Sequence, residues 1–201
     1  MVDLKPLKNS IFMNLQNSRE RYGALAIALH WLIVLQLIGV YACINLVDMF
    51  PEHSDPQRLL KTWHFLLGLT VLAVALVRLL NRLSAPSPEL LRNTTRWQRW
   101  LANAVHVALY VFLLVMPLLG WLTLSAEGHP ISLFGIVLPG LIAADDGWAH
   151  TLKNLHETIG VVGYYLIGLH AGAALFHHFF MRDGTLARML PFLATKQRSL
   201  T

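Results

Sequence analysis

The chain has 201 residues, of which 55% are hydrophobic and 13% charged, with a formal net charge of +5. A soluble domain of this size would leave too much of that apolar content in water, so a water-soluble fold is excluded. The positive charge needs no nucleic-acid partner: it sits where membrane topology and lipid headgroups call for it. The one cysteine, Cys43, lies in an apolar run and excludes an internal disulfide.

Residues 1–22 are polar and mixed and read as a short cytoplasmic tail. The first apolar run is too long for the removable core of a secretory signal. It is one of four runs of roughly 20 or more residues, each long enough to cross a bilayer. They cover about Gly23–Val47, Leu60–Leu83, Leu101–Ser125 and Thr151–Met181. Residues 48–59, with Pro51, Asp55 and Pro56, form a short loop. Residues 84–99, with Pro86, Pro88, Arg92, Trp97 and Arg99, form a basic one. In the third loop, 126–150, the apolar stretch Ile131–Ala144 is broken by Gly135, Pro139 and Gly140. It is too interrupted to span and is expected to lie against the outer membrane surface. Residues 182–201 form a second cytoplasmic tail. Trp31, Trp63, Trp100 and Trp148 fall near span ends, where indoles anchor at the interface.

Thirteen of the 16 Lys and Arg residues lie in the two tails and the second loop, with its helix ends. Basic segments stay inside, so both termini are expected on the cytoplasmic side of the membrane. The fold class is therefore an all-α, four-helix transmembrane bundle over residues 23–181.

Four histidines stand in these spans: His30, His64, His156 and His170. An ionisable side chain in hydrocarbon is costly and marks a function. With the termini inside, His64 and His156 lie toward the outer side, His30 and His170 toward the inner. His156 and His170 are 14 residues apart, about 21 Å of helix rise and four turns less about 40°. They therefore share one face at two levels. Pairing by depth joins His64 to His156 and His30 to His170, a pattern that suits two stacked b haems, each with two axial imidazoles. No CxxCH segment offers covalent attachment, so the haems would be held non-covalently. His106, early in the third span, is a rival ligand for the inner centre. Gly160, Gly163, Ala173 and Ala174 share the ligand face of span four. They suit either a flat macrocycle or close helix packing.

Lys61 and Lys153 each precede an outer histidine by three residues, one helical turn. They form a positive collar for propionates or a small anion, or snorkel to headgroups. Arg78, Arg82 and His177 should converge inward of the inner haem. The arginines would pair propionates or line a quinone site, where His177 would serve as hydrogen-bond or proton donor. Positive-inside anchoring is the plain alternative for the arginines.

Ala28–Leu29–His30–Trp31–Leu32, the early His64 of span two, Leu155–His156–Glu157–Thr158, and Gly168–Leu169–His170 through Phe176–His177–His178 resemble the bacterial cytochrome b561 family over residues 20–191. The likeness is nearest to its superoxide-oxidising members. The resemblance implies four helices, two b haems on His30, His64, His156 and His170, and a quinone site that includes His177. It implies one-electron oxidation of superoxide on the periplasmic side, with ubiquinone as acceptor. The rival reading is an electron-relay subunit linking a dehydrogenase or hydrogenase partner to quinone. The 131–144 segment would then be the docking surface. A homo-oligomer is the alternative to the dehydrogenase as protein partner. A histidine-lined metal-ion transporter is a weaker third reading, because the spans lack the carboxylates a cation path favours.

Overall fold

The computed structural model describes residues 15, 17–18, 22–84, 95–133, 135–183 and 185–190. Most of the first tail, Pro86, Pro88 and Arg92 of the second loop, and the end of the second tail lie outside the described residues. Four long helices dominate the described residues. Helix α1 covers Ala24–Leu46 and runs into a 3-10 turn at Val47–Met49, α2 covers Asp55–Ser84, and α3 covers Arg96–Ala126. Helix α4 covers Asp146–Phe176 and continues as a π turn over His177–Met181. All four are long and apolar enough to cross a membrane, and little of each is buried inside the chain. Leu35, Ile38, Tyr165 and Phe180 are 61–77% exposed. Side chains of that kind, left facing outward, call for lipid rather than water.

Helices α2 to α4 begin about five residues before the apolar runs do. The extra turns are polar and are held by caps rather than by hydrophobicity. Asp145 Oδ1 accepts the Trp148 N–H at 2.9 Å, closing the start of α4, and Asp146 sits in its first turn, where the helix dipole favours an anion. At the start of α3, Gln98 Oε1 reaches back to accept the Thr95 N–H at 2.9 Å, the reciprocal arm of a capping box. Helix α1, which lacks such a polar approach, matches its apolar run within one residue at either end.

The third loop is not wholly irregular. Ile131–Leu133 (β1) pairs antiparallel with Ile136–Leu138 (β2), Ile131 opposite Leu138. Gly135 takes φ +85° at the turn, which a side chain rarely adopts. Strands of three residues are too short to show a period of two in sequence. The loop is tied to the end of α3: Trp121 Nε1 donates to the Pro139 carbonyl at 3.1 Å, and Ser125 Oγ accepts the Leu141 N–H at 3.0 Å.

The contacts divide the chain into two compact units. One comprises Leu32–Leu76 with Leu109–Tyr165. The other comprises the described residues of Met1–Trp31, Val77–Ala108 and Leu166–Thr201. In the first, Ile33, Leu69, Val71, Ala75, Phe112, Leu113 and Leu119 are buried, and Gln36 Nε2 donates to Thr70 Oγ1 at 3.0 Å between α1 and α2. In the second, Arg78 of α2 donates to the Ala26 carbonyl of α1 at 2.6 Å, and Trp31 Nε1 donates to the Met189 carbonyl at 2.8 Å. The early part of the 182–201 segment is thus fastened to α1, through an indole that the sequence marks only as an interface anchor.

Candidate functional site

In the first unit, His64 of α2 faces His156 of α4 with ring centroids 6.1 Å apart and ring planes at 78°. His64 Nδ1 lies 3.0 Å from the Val40 carbonyl of α1. A carbonyl can only accept, so Nδ1 carries the proton and Nε2 is left as the donor atom for a metal. His156 interacts with the Met116 carbonyl, yet its buried Nδ1 completes no hydrogen bond. A Cβ on Gly120 of α3 would stand 3.4 Å from His156 Cε1. Gly120 thus gives this imidazole room, a role invisible in sequence because α3 carries no ligand at that level.

In the second unit, His30 of α1 faces His170 of α4 with centroids 6.3 Å apart and planes at 75°. His106 of α3 joins them, 5.4 Å from His170, and the charge of Arg78 acts on all three rings. Two imidazoles bound through nitrogen to one metal, with bonds of about 2 Å and ring radii of about 1.2 Å, have centroids about 6.4 Å apart. Both depth-matched pairs have about that spacing, and His106 stands closer to His170 than that. The side chains present therefore fit an iron porphyrin with two axial imidazoles. His30 and His170, and His64 and His156, would hold it. Among the described residues, no group of three or more His, Cys, Asp or Glu side chains gathers in a way that would hold a bare metal ion.

The small residues of α4 divide in function. A Cβ on Gly163 would collide with the Tyr41 hydroxyl and the Phe112 ring, so Gly163 serves close helix packing. Tyr41 donates to the Gly160 carbonyl at 2.8 Å. Its ring lies 4.2 Å from that of Tyr164, and Asn45 Nδ2 joins Tyr164 Oη at 2.5 Å. This polar knot between α1 and α4 escapes sequence reading because Tyr and Asn there carry no distinctive spacing.

Lys61 and Lys153 are both exposed, and neither pairs with a described carboxylate. Arg78 is half-buried and Arg82 exposed. His177 opens the π turn, and its Nδ1 lies 2.6 Å from Asp183 Oδ2. Burial works against the Asp183 charge. The hydrogen bonds from Thr185 and His177 outweigh it and hold the carboxyl below its ordinary range. The sequence signal for Asp183, an Asp-Gly turn pair six residues after His177, is easy to pass over. The change to π winding also means that α-helical spacing stops describing orientation beyond Phe176, at His178 among others.

A membrane-spanning helical scaffold with paired imidazoles at metal spacing defines the class, a multi-pass membrane electron carrier. Residues 21–192 match the model of the prokaryotic cytochrome b561 family. The chain is 33% identical over 172 residues to cytochrome b561 homolog 1 of Escherichia coli (strain K12), covering 86% of this chain and 98% of the relative. It is 33% identical over 172 residues to the probable superoxide oxidase CybB of Yersinia pestis, covering 86% and 97%. It is 31% identical over 179 residues to cytochrome b561 homolog 2 of Escherichia coli (strain K12), covering 89% and 95%. The chain belongs to the prokaryotic cytochrome b561 family, whose members bind b-type haem and transfer electrons in membranes.

Proposed function

We propose that this protein is a diheme superoxide:ubiquinone oxidoreductase of the bacterial inner membrane, with both termini cytoplasmic. The observation that carries the diheme reading is the similar spacing of two separate imidazole pairs, 6.1 Å and 6.3 Å. Each bound haem would supply a one-electron iron centre whose potential follows its axial ligands and surroundings. His64 enters that role already oriented by the Val40 carbonyl. Lys61 and Lys153, exposed and one turn from His64 and His156, supply local positive charge where an anion such as superoxide approaches. Arg78, whose charge acts on His30 and His170, and Arg82 serve a propionate or a quinone. His177 is the proton donor to quinone. Two superoxide anions give two electrons and two dioxygen molecules. Those electrons and two protons convert one ubiquinone to ubiquinol. The name of the Yersinia pestis relative supports the choice of donor.

The exposed residues of β2 favour one rival. Ile136 and Val137 are 67% and 72% exposed, as a docking edge for a dehydrogenase or hydrogenase would be. The deciding experiment follows the haem α-band of the purified oxidised protein under an enzymatic superoxide flux. Rapid reduction, abolished by superoxide dismutase and reversed by ubiquinone, is expected. A spectrum that answers only to quinol or to a co-purifying partner would overturn superoxide as donor and leave the relay reading.

A further inference from the structure

Helix α4 does not end by fraying. At His177 it widens to π winding, a rare form that is frequent at functional sites. Arg182 then turns left-handed, at φ 50° and ψ 33°, and reverses the chain. The reversal brings Asp183 back beside His177 twice: its N–H donates to the His177 carbonyl at 3.2 Å, and its Oδ2 lies 2.6 Å from His177 Nδ1. The other carboxylate oxygen is fixed as well, since Asp183 Oδ1 accepts the Thr185 N–H at 3.0 Å. Both side chains are partly open to solvent, 30% for His177 and 26% for Asp183.

An ionised carboxylate only accepts hydrogen bonds. Its partner nitrogen must therefore hold the proton, which leaves Nε2 as the atom that exchanges. We propose that Asp183 is a positioning residue: it holds His177 in the Nδ1–H tautomer and in a fixed orientation, so that Nε2 delivers protons to the quinone. This inference rests on the quinone reading of His177. In the step it describes, the imidazolium Nε2–H bond breaks and its proton goes to a quinone oxygen. The imidazole returns to neutral with Nδ1–H still on Asp183, and cytoplasmic water reprotonates Nε2. Two such protons and two electrons from the superoxide donor complete the quinol. Asp183 stays ionised throughout, stabilising the imidazolium without taking its proton.

The test compares His177→Ala, Asp183→Asn and Asp183→Glu in the haem-loaded protein. Quinone turnover is split into kcat and KM, and the tautomer is read by nitrogen NMR of histidine-labelled, reduced protein. Asp183→Asn should lower kcat about tenfold or more, within the range that acid–base groups supply, with KM little changed and the haem spectrum intact. It should also shift the His177 nitrogens away from the Nδ1–H form, and Asp183→Glu should restore both. Full kcat in Asp183→Asn alongside loss in His177→Ala would overturn the positioning role and leave the quinone reading in place. Full turnover in His177→Ala would overturn the quinone reading instead. The tautomer would then judge Asp183 alone, an unchanged His177 signal in Asp183→Asn overturning its hold on the ring. Should Asp183→Asn fail to accumulate, Asp183→Ser takes its place in the same comparison.

Discussion

A Cβ built on Gly120 would lie 3.4 Å from Cε1 of His156, so the bare backbone of α3 sets how far the α4 imidazole can turn. That distance separates two substitutions. Gly120→Ala makes an ordinary contact and should leave haem content unchanged. Gly120→Leu must displace His156 and should remove about half of the haem absorbance per protein. Equal haem in both variants, measured by pyridine haemochrome, would show that the His156 ring does not depend on Gly120.

Replacing one ligand of a pair should remove one centre and spare the other. For His64→Ala, a redox titration of the α-band is expected to show one component in place of two. For His30→Ala the component lost should be the other one. If His30→Ala keeps both, His106 has taken over as ligand, the outcome that its 5.4 Å approach to His170 makes worth checking.

Lys61→Gln with Lys153→Gln should slow superoxide oxidation severalfold at low ionic strength and flatten its salt dependence, since exposed charges act within a Debye length of about 10 Å. Stopped-flow rates at two salt concentrations are sufficient. Rates equal to the parent at low salt would end the collar interpretation.

Gly163→Ala places a methyl group against Tyr41 and Phe112. Overpacking of this kind costs about 1–3 kcal/mol. Thermal unfolding in detergent should move to lower temperature, with both haem signals still present before the transition. An unchanged midpoint would mean that α1 and α3 yield freely there.

The Asp183 carboxyl is held below its ordinary range, so its ionised form stabilises the folded turn. That contribution is complete above the unfolded aspartate value of about 3.9 and fades as pH falls through the lower folded value. Hydrogen exchange in the 182–190 segment should therefore accelerate, relative to the rest of the chain, only in that acid range. In Asp183→Asn the acid step should disappear.

The helices and the histidine pairs were legible because both rest on long-range regularities. Four apolar runs fix the spans, and a 14-residue interval fixes one face of α4 whatever packs against it. What escaped had no period to reveal it. The capped extensions of α2 to α4 depend on single polar side chains such as Asp145 and Gln98. The β1–β2 hairpin is too short to alternate. Gly163, equally suited to a macrocycle or to a neighbouring helix, is assigned only by seeing Tyr41 and Phe112 against it. Asp183 needed the π turn, and winding is not written in hydropathy.

The π turn has one further consequence, which concerns chain length rather than chemistry. Each residue of a helix turns the chain by about 100°, and a π turn holds one residue more than α winding needs. Removing either Phe179 or Phe180 would let the α ladder close straight through. Arg182 would then reach the reversal point out of phase, and Asp183 would swing away from His177 although both residues were untouched. The bond between them is set by a count as much as by the two side chains. An insertion or deletion there would erase it more completely than many a substitution.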